Sequence, residues 1–499
     1  MNLALIKTRT SIGIQAPLVA VEVHLSNGLP SFTIVGLPQT AVKESKDRVR
    51  SAIINSQFDF PSRKITVNLS PADLPKTGSG FDLPIAIGIL VASGQISADK
   101  LDSHEFVGEL ALCGDLNKIT GIIPIIVAAK RANQHLIIAK ANSDEAQLTQ
   151  YTKVYTASHL REVCAYLMHQ QALCAIPYQP DCPRIDGPID WSDIKGQHHA
   201  KQAMLIAASG GHSILLSGPP GSGKTMLAKR FITLLPDLND EDALECAAIN
   251  SIVGRARTLK EWRVPPLRAP HHTASSMALV GGGNPPRPGE ITLAHKGVLF
   301  LDELPEFNKS VLETLREPLE SGHICISRAG MQTEYPADFQ LIAAMNPCPC
   351  GQAGNPQAQC VCSPPFIQRY LHKLSAPFLD RIDLQVHVQA LSSKELLESS
   401  CEVEPESFKL RQQVTVLRLR QIKRQGVINA HLSPKDAERV CMLTSDSKEF
   451  LSRALAKLKL SARAYQRLLK VARTIADINN EQEVSKRTLQ QALSFKQTL

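Results

Sequence analysis

The sequence predicts a multidomain chain of mixed class: an α+β N-terminal part, a central three-layer α/β core and a helical C-terminal part. Three observations carry this. At 499 residues the chain exceeds one compact core and fits about two to four domains. Residues 1–165 alternate short apolar runs with Gly and Pro punctuation, whereas 188–390 set short, nearly continuous apolar runs between helical stretches. Beyond residue 391 the strand-like runs stop.

The elements follow in order. "PLVAVEVHLSNGLPSFTIVGLP" and "ITVNLSPADLP" read as strands between turns, and helical stretches come after them. Residues 166–187 read as a linker, because "QALCAIPYQPDCPRIDGP" holds four prolines and little periodicity. "HSILLSG", "GVLFLDE" and "FQLIAAMN" are runs of the kind buried on both faces of a parallel sheet. Residues 391–499 read as helices broken near Ser433-Pro434 and Asn479-Asn480.

Composition narrows the class of protein. There is no apolar run of membrane-spanning length and no basic-then-apolar start, so a cytoplasmic protein without a membrane partner is expected. Twelve cysteines in such a chain are expected reduced or metal-bound rather than in a disulfide framework. The net charge of +8 is uneven: residues 401–499 hold 19 Lys/Arg against 10 Asp/Glu, and the first 400 hold 36 against 37. "KLRQQVTVLRLRQIKRQ" and "SARAYQRLLKVAR" therefore read as a footprint for phosphate backbones or as solvated helix faces.

The most specific motif is "GPPGSGKT", comprising Gly218, Pro219, Pro220, Gly221, Ser222, Gly223, Lys224 and Thr225. A strand precedes it and a helix follows. Its glycines let backbone N–H groups converge on phosphate oxygens, Lys224 reaches the terminal phosphates and Thr225 holds magnesium. "GVLFLDE" ends in Asp302, expected in the magnesium shell, and Glu303, expected to polarise an attacking water. Asn346, at the end of "FQLIAAMN", is placed to orient the same water. Together these residues predict hydrolysis of a nucleoside triphosphate, with ATP and Mg²⁺ as cofactors.

Residues from about 188 onward resemble AAA+ ATPases of the clade containing the magnesium chelatase ATPase subunit and MCM helicases. "IKGQHHAKQAMLIAASGGHSILLSGPPGSGKTMLAKR", "RAPHHTASSMALVGGG", "PGEITLAHKGVLFLDELPEF" and "APFLDRIDLQVHV" are similar to the ComM/YifB family of magnesium-chelatase-like proteins, and the likeness covers essentially the full chain. The resemblance implies that Gln197 and Met226 join the nucleotide contacts. It implies that Arg381 is an arginine finger reaching a neighbouring subunit's nucleotide, the bland alternative being a surface ion pair with Asp380 or Asp383. Arg463 matches the sensor arginine of a helical lid, with Arg467 one turn away. A homohexameric ring follows from that mechanism.

Two inserts mark the clade. "HHTASSMALVGGGNPPRPGE" matches a helix-2 insert, and "ICISRAGMQTEYP" reads as a hairpin turning at Ala329-Gly330. By resemblance both project into the pore, with Lys296 and Arg328 as candidates for DNA phosphate contact or else as ordinary surface residues. Separately, Cys348, Cys350, Cys360 and Cys362 form two C-x-C pairs within 15 residues. They fit a structural zinc site, reduced thiols or a redox pair.

The N-terminal "LPKTGSGFDLPIAIGIL" resembles the active-site turn of Lon proteases, which use a Ser–Lys dyad. Gly80 falls at the nucleophile position, with Ser79 one residue early, and Ile123 falls at the lysine position. A hydroxyl without a base is a poor nucleophile. Only a shifted register using Ser79 with Lys118 or Lys130 rescues a peptidase, so a Lon-protease-like domain lacking its dyad is expected.

Three functional classes share this ATPase. The resemblance implies first a hexameric DNA helicase acting on single-stranded and branched DNA, promoting branch migration with recombination proteins during natural transformation. A chelatase-type ATPase remodelling a protein partner is second, and an ATP-dependent protease third.

Overall fold

The computed structural model describes residues 2–177, 184, 189–328, 331–354, 358–390, 405–458 and 461–496. The N-terminal part is a mixed eight-stranded sheet. Its strands Leu3–Arg9, Leu18–Ser26 and Lys64–Ser70 pair antiparallel, and Ser31–Val35 adds in parallel at one edge. Alternation in "LVAVEVHLS" turns Val19, Val21, Val23 and Leu25 inward, where the wholly buried helix Asp82–Ala92 covers them. Helix Leu160–Leu167 crosses the expected boundary at residue 165. Cys174–Ala175 then adds an edge strand, so this sheet extends into the segment expected as a linker.

The central core is a parallel five-stranded sheet. Its order is Leu267–Arg268, Val298–Leu301, Gln340–Met345, Ile214–Ser217, Leu384–His387. The apolar runs divide strictly by parity. Ile214, Leu216, Ile342, Ala344, Val298 and Phe300 enter one apolar cluster, while Leu215, Leu341, Ala343, Leu299 and Leu301 enter the other. Burial on both faces makes the three layers and explains why these runs lack polar alternation.

Among the described residues five main helices follow: Ser407–Gln425, Pro434–Cys441, Ser445–Leu458, Ala462–Ile478 and Lys486–Ser494. The breaks fall where the sequence places them. The Ser433 side chain accepts the Asp436 N–H ahead of Pro434, and the fourth helix stops just before Asn479-Asn480. Part of the lid's positive charge is held by internal partners. Arg418 donates to the Ala208 carbonyl at 2.8 Å, Lys470 to that of Ala430 at 2.9 Å, and Arg424 and Arg473 both reach the buried Asp477. Most of the other basic residues described there are exposed, among them Lys409, Arg420, Lys423, Lys435, Arg453 and Lys486. No helix among the described residues is long and apolar enough to cross a membrane.

The N-terminal and central parts share an apolar cluster in which Ile122, Ile123 and Ile126 meet Ala243, Ala247 and Ala248. Ser251 fixes the join, its hydroxyl donating to Glu145 at 2.6 Å and its carbonyl accepting the Gly121 N–H at 2.9 Å. The two inserts also pack together. Strands His323–Arg328 and Met331–Pro336 form the expected hairpin, and Tyr335 donates its hydroxyl to Pro286 in the other insert at 2.8 Å. The Ala329-Gly330 turn and the Arg328 side chain lie outside the described residues.

Candidate nucleotide site

Strand order brings the chemistry together. Ser217 is in register with Met345, and the Gly218 N–H donates to the Met345 carbonyl at 3.2 Å, so the phosphate loop and Asn346 leave adjacent strands side by side. Leu301 is in register with Ala343, which sets Asp302 at the end of the next strand. Ligands of open α/β sheets bind at this carboxyl edge. Gly221 and Gly223 take φ of 77° and 92°, a left-handed backbone that glycine adopts without steric cost, and the helix Lys224–Phe231 begins directly after.

Lys224 is buried and donates to the carbonyls of Gly218 at 2.7 Å and Pro219 at 2.9 Å, and to Asn346 Oδ1 at 3.2 Å. Burial lowers its pKa, and the Asp302 carboxylate opposes that shift. Thr225 Oγ1 donates to Asp302 Oδ2 at 2.7 Å, joining the two expected magnesium ligands. Thr225 and Asp302 are hard oxygen donors and suit Mg²⁺, which takes one or two protein oxygens beside water and phosphate. Gln197 donates to the carbonyls of Ser222 at 3.0 Å and Gln389 at 2.7 Å, so it ties the phosphate loop to its flank. Met226 is exposed beside the loop.

Glu303 has φ 52° and ψ 48°, a strained left-handed conformation for a non-glycine residue, and its carboxylate meets His272 Nδ1 at 2.9 Å. His272 stands in the insert motif, yet its local sequence carries no sign of this role. A contact across 31 residues is invisible to local pattern.

The two arginines gather elsewhere. Arg381 and Arg463 each reach Glu320 at 3.0 Å, and among the described residues neither makes a polar contact with residues 218–225. Arg381 is therefore bound to Glu320 rather than to Asp380 or Asp383. Arg467 is distinguished from Arg463 by its partners: it donates to Asp383 and to the Arg381 carbonyl, both at 2.6 Å, and so anchors lid to core. Lys296 meets Asp338 at 3.0 Å and Asp242 at 3.3 Å, a doubly paired charge rather than one open to phosphate.

In the N-terminal part Ser79 donates to Glu109, Lys118 pairs with Glu145 at 2.9 Å, and Lys130 donates to the Thr149 carbonyl at 3.3 Å. The shifted Ser–Lys register is not assembled. Ile123 at the lysine position is buried against the central module. Cys348, Cys350, Cys360 and Cys362 bring their sulfurs within 4.8 Å of one another, a group that could hold a metal ion.

Fold and site define a P-loop ATPase of the magnesium-chelatase type. The family models described as "Magnesium chelatase, subunit ChlI", "Subunit ChlI of Mg-chelatase" and "Magnesium chelatase, subunit ChlI C-terminal" match residues 190–396, 21–142 and 404–496. The chain is 50% identical to "Competence protein ComM" of Haemophilus influenzae, covering 99% of this chain and 98% of that protein. It is 49% identical to "Uncharacterized protein YifB" of Escherichia coli over 99% and 97% of the two chains. The "Magnesium-chelatase 38 kDa subunit" of Cereibacter sphaeroides matches at 27% over 32% of this chain and 53% of its own. This chain belongs to the ComM/YifB family of magnesium-chelatase-like proteins.

Proposed function

We propose that the protein is an ATP- and Mg²⁺-dependent motor that works as a homohexameric ring on single-stranded and branched DNA. In this reading it promotes branch migration while transforming DNA is recombined in the cytoplasm, together with recombination proteins. The carrying observation is a divided catalytic set. Lys224, Thr225, Asp302, Glu303 and Asn346 stand at one sheet edge, while Arg381 and Arg463 are gathered on Glu320 away from it. Released from Glu320, these two cationic groups would be of the kind that stabilises a transferring phosphoryl on a neighbouring subunit. The competence name of the Haemophilus relative supports the DNA substrate.

In the ATP cycle, Thr225 and Asp302 would hold the magnesium ion, which spreads charge on the transferring phosphoryl. Lys224 leaves the Gly218 and Pro219 carbonyls for the terminal phosphates. Glu303 takes a proton from the attacking water, and Asn346 orients that water. The N-terminal part is proposed as a Lon-protease-like module used for assembly or substrate guidance. The inserts are proposed to line the pore, and Lys296 ranks low among DNA contacts because two carboxylates already neutralise it.

The test is ATP turnover with and without single-stranded and forked DNA, beside movement of a synthetic four-way junction. Stimulation by DNA with junction movement is the expected result. Turnover indifferent to every DNA would overturn the motor and favour remodelling of a protein partner, the reading that the chelatase likeness supports.

A further inference from the structure

The four-cysteine loop has the geometry of a metal site and a mechanical link to the phosphate loop. Cys348 Sγ lies 3.3 Å from Cys350 Sγ and 3.7 Å from Cys360 Sγ, and the latter two are 3.6 Å apart. A disulfide requires about 2.05 Å. Four sulfurs about 2.3 Å from one tetrahedral ion stand about 3.8 Å from each other; Cys360 lies near that spacing from the first two sulfurs, and all four lie within 4.8 Å of one another. The Ala353 N–H points to Cys348 Sγ at 3.3 Å, and a metal binds cysteine as the thiolate. A closed set of four protein ligands marks a structural rather than a catalytic ion, and a compact S₄ set suits zinc.

We propose that Cys348, Cys350, Cys360 and Cys362 bind one zinc ion, and that the loop it folds braces the phosphate loop. The brace is Gly351, which takes φ 79° between the first two ligands and the rest of the loop; a Cβ there would come within 2.5 Å of Pro220 Cδ. On its other side the same segment begins at Asn346, which accepts from Lys224 at 3.2 Å. Fixing residues 348–351 therefore fixes both a wall of the phosphate loop and a partner of its lysine.

The first measurement is metal content of the full chain, purified without a histidine tag. One zinc per chain is expected, and Co²⁺ exchanged into the site should give the visible bands of a tetrahedral thiolate complex. Absence of metal, or iron in place of zinc, would overturn the site. Cys113→Ser, at an exposed cysteine outside the cluster, should keep the zinc, and Cys350→Ser with Cys360→Ser should lose it.

The brace is tested on wild type by releasing zinc with a mercurial, removing the mercurial with thiol under chelator, and titrating a fluorescent ATP analogue. Affinity should fall about tenfold or more and return with added zinc; unchanged affinity without zinc would overturn the brace. Gly351→Ala should keep zinc yet weaken nucleotide binding, and full affinity in that variant would count equally against it. This half rests on the ATP reading of the phosphate loop, whereas metal content does not, so the two fail separately.

Discussion

Arg381 and Arg463 close on one carboxylate: both reach Glu320 at 3.0 Å, one from the turn before the last core strand, the other from the first turn of a lid helix. The buried guanidinium of Arg381 also donates to the Pro377 carbonyl at 2.5 Å. Glu320 thereby sets two arginines at a common height although they belong to separate modules. Charge-assisted pairs of this kind fix direction as well as distance.

Arg381→Ala is expected to lower ATP turnover by about a hundredfold or more, since an arginine finger contributes about 10³–10⁵ in kcat, while ATP binding stays near wild type. Mixed with Glu303→Gln subunits, it should recover part of that turnover, because finger and acid would come from different chains at each interface. Steady-state kinetics on mixtures shown to form joint rings checks this. A finger acting within its own chain would give no recovery.

Glu320→Ala should lower turnover by about tenfold, less than loss of either arginine, because the guanidinium groups remain and only their positioning is lost. The readout is kcat against the KM for ATP. A change confined to KM would place Glu320 in substrate binding instead.

His272→Ala removes the partner of Glu303. The expected effect is a fall of about tenfold in kcat with an unchanged KM, as for a residue that aims a base rather than binding ATP. Glu303→Gln should go further, holding ATP while abolishing turnover, whereas Lys224→Ala should lose nucleotide binding itself. Nucleotide retention after gel filtration separates the two.

The residues whose juxtaposition is legible in the sequence are those whose partners are consecutive or follow from strand order. Gly218–Thr225 is contiguous, and Asp302 and Asn346 end apolar runs that could only be neighbouring buried strands. Glu320 and His272 carry no such signal, since a lone acid at a helix end and a histidine in an insert acquire meaning only through contacts across the fold. Charge counting records how many basic residues the lid holds but not that Arg418, Arg467 and Arg473 are tied to internal partners while most of the others stay exposed. Lys296 shows the same limit, its partners Asp242 and Asp338 lying 54 and 42 residues away. That Ile123 cannot exchange a proton is legible in the sequence, but its packing against the central module is not.

Ser79→Ala should leave ATP turnover unchanged, and neither wild type nor the variant should hydrolyse casein. The Ser79 hydroxyl donates to Glu109, and Lys118 and Lys130 are engaged with Glu145 and Thr149. Any ATP-dependent release of labelled casein that this substitution removed would restore the peptidase reading.

The last prediction concerns how the lid is held. Burial alone would raise the Asp383 carboxyl, but the Arg467 charge and the His212 contact at 3.5 Å outweigh it and hold the pKa well below the usual carboxylate range. A depressed folded pKa contributes stability that is full above the unfolded value near 4 and is lost as pH falls toward the folded one. Wild type should therefore keep its lid docked from neutrality to about pH 4 and lose this contribution only below it. Arg467→Met leaves a buried carboxylate without its main counter-charge, a change that costs about 3 kcal/mol. Its melting temperature should drop at pH 7. The drop should narrow as pH falls, first as the unpaired Asp383 of the variant takes up a proton and then, below about 4, as wild type progressively loses its own contribution. Thermal unfolding across that range checks the sign, and a deficit that widened with acid would show that Asp383 is not what Arg467 holds.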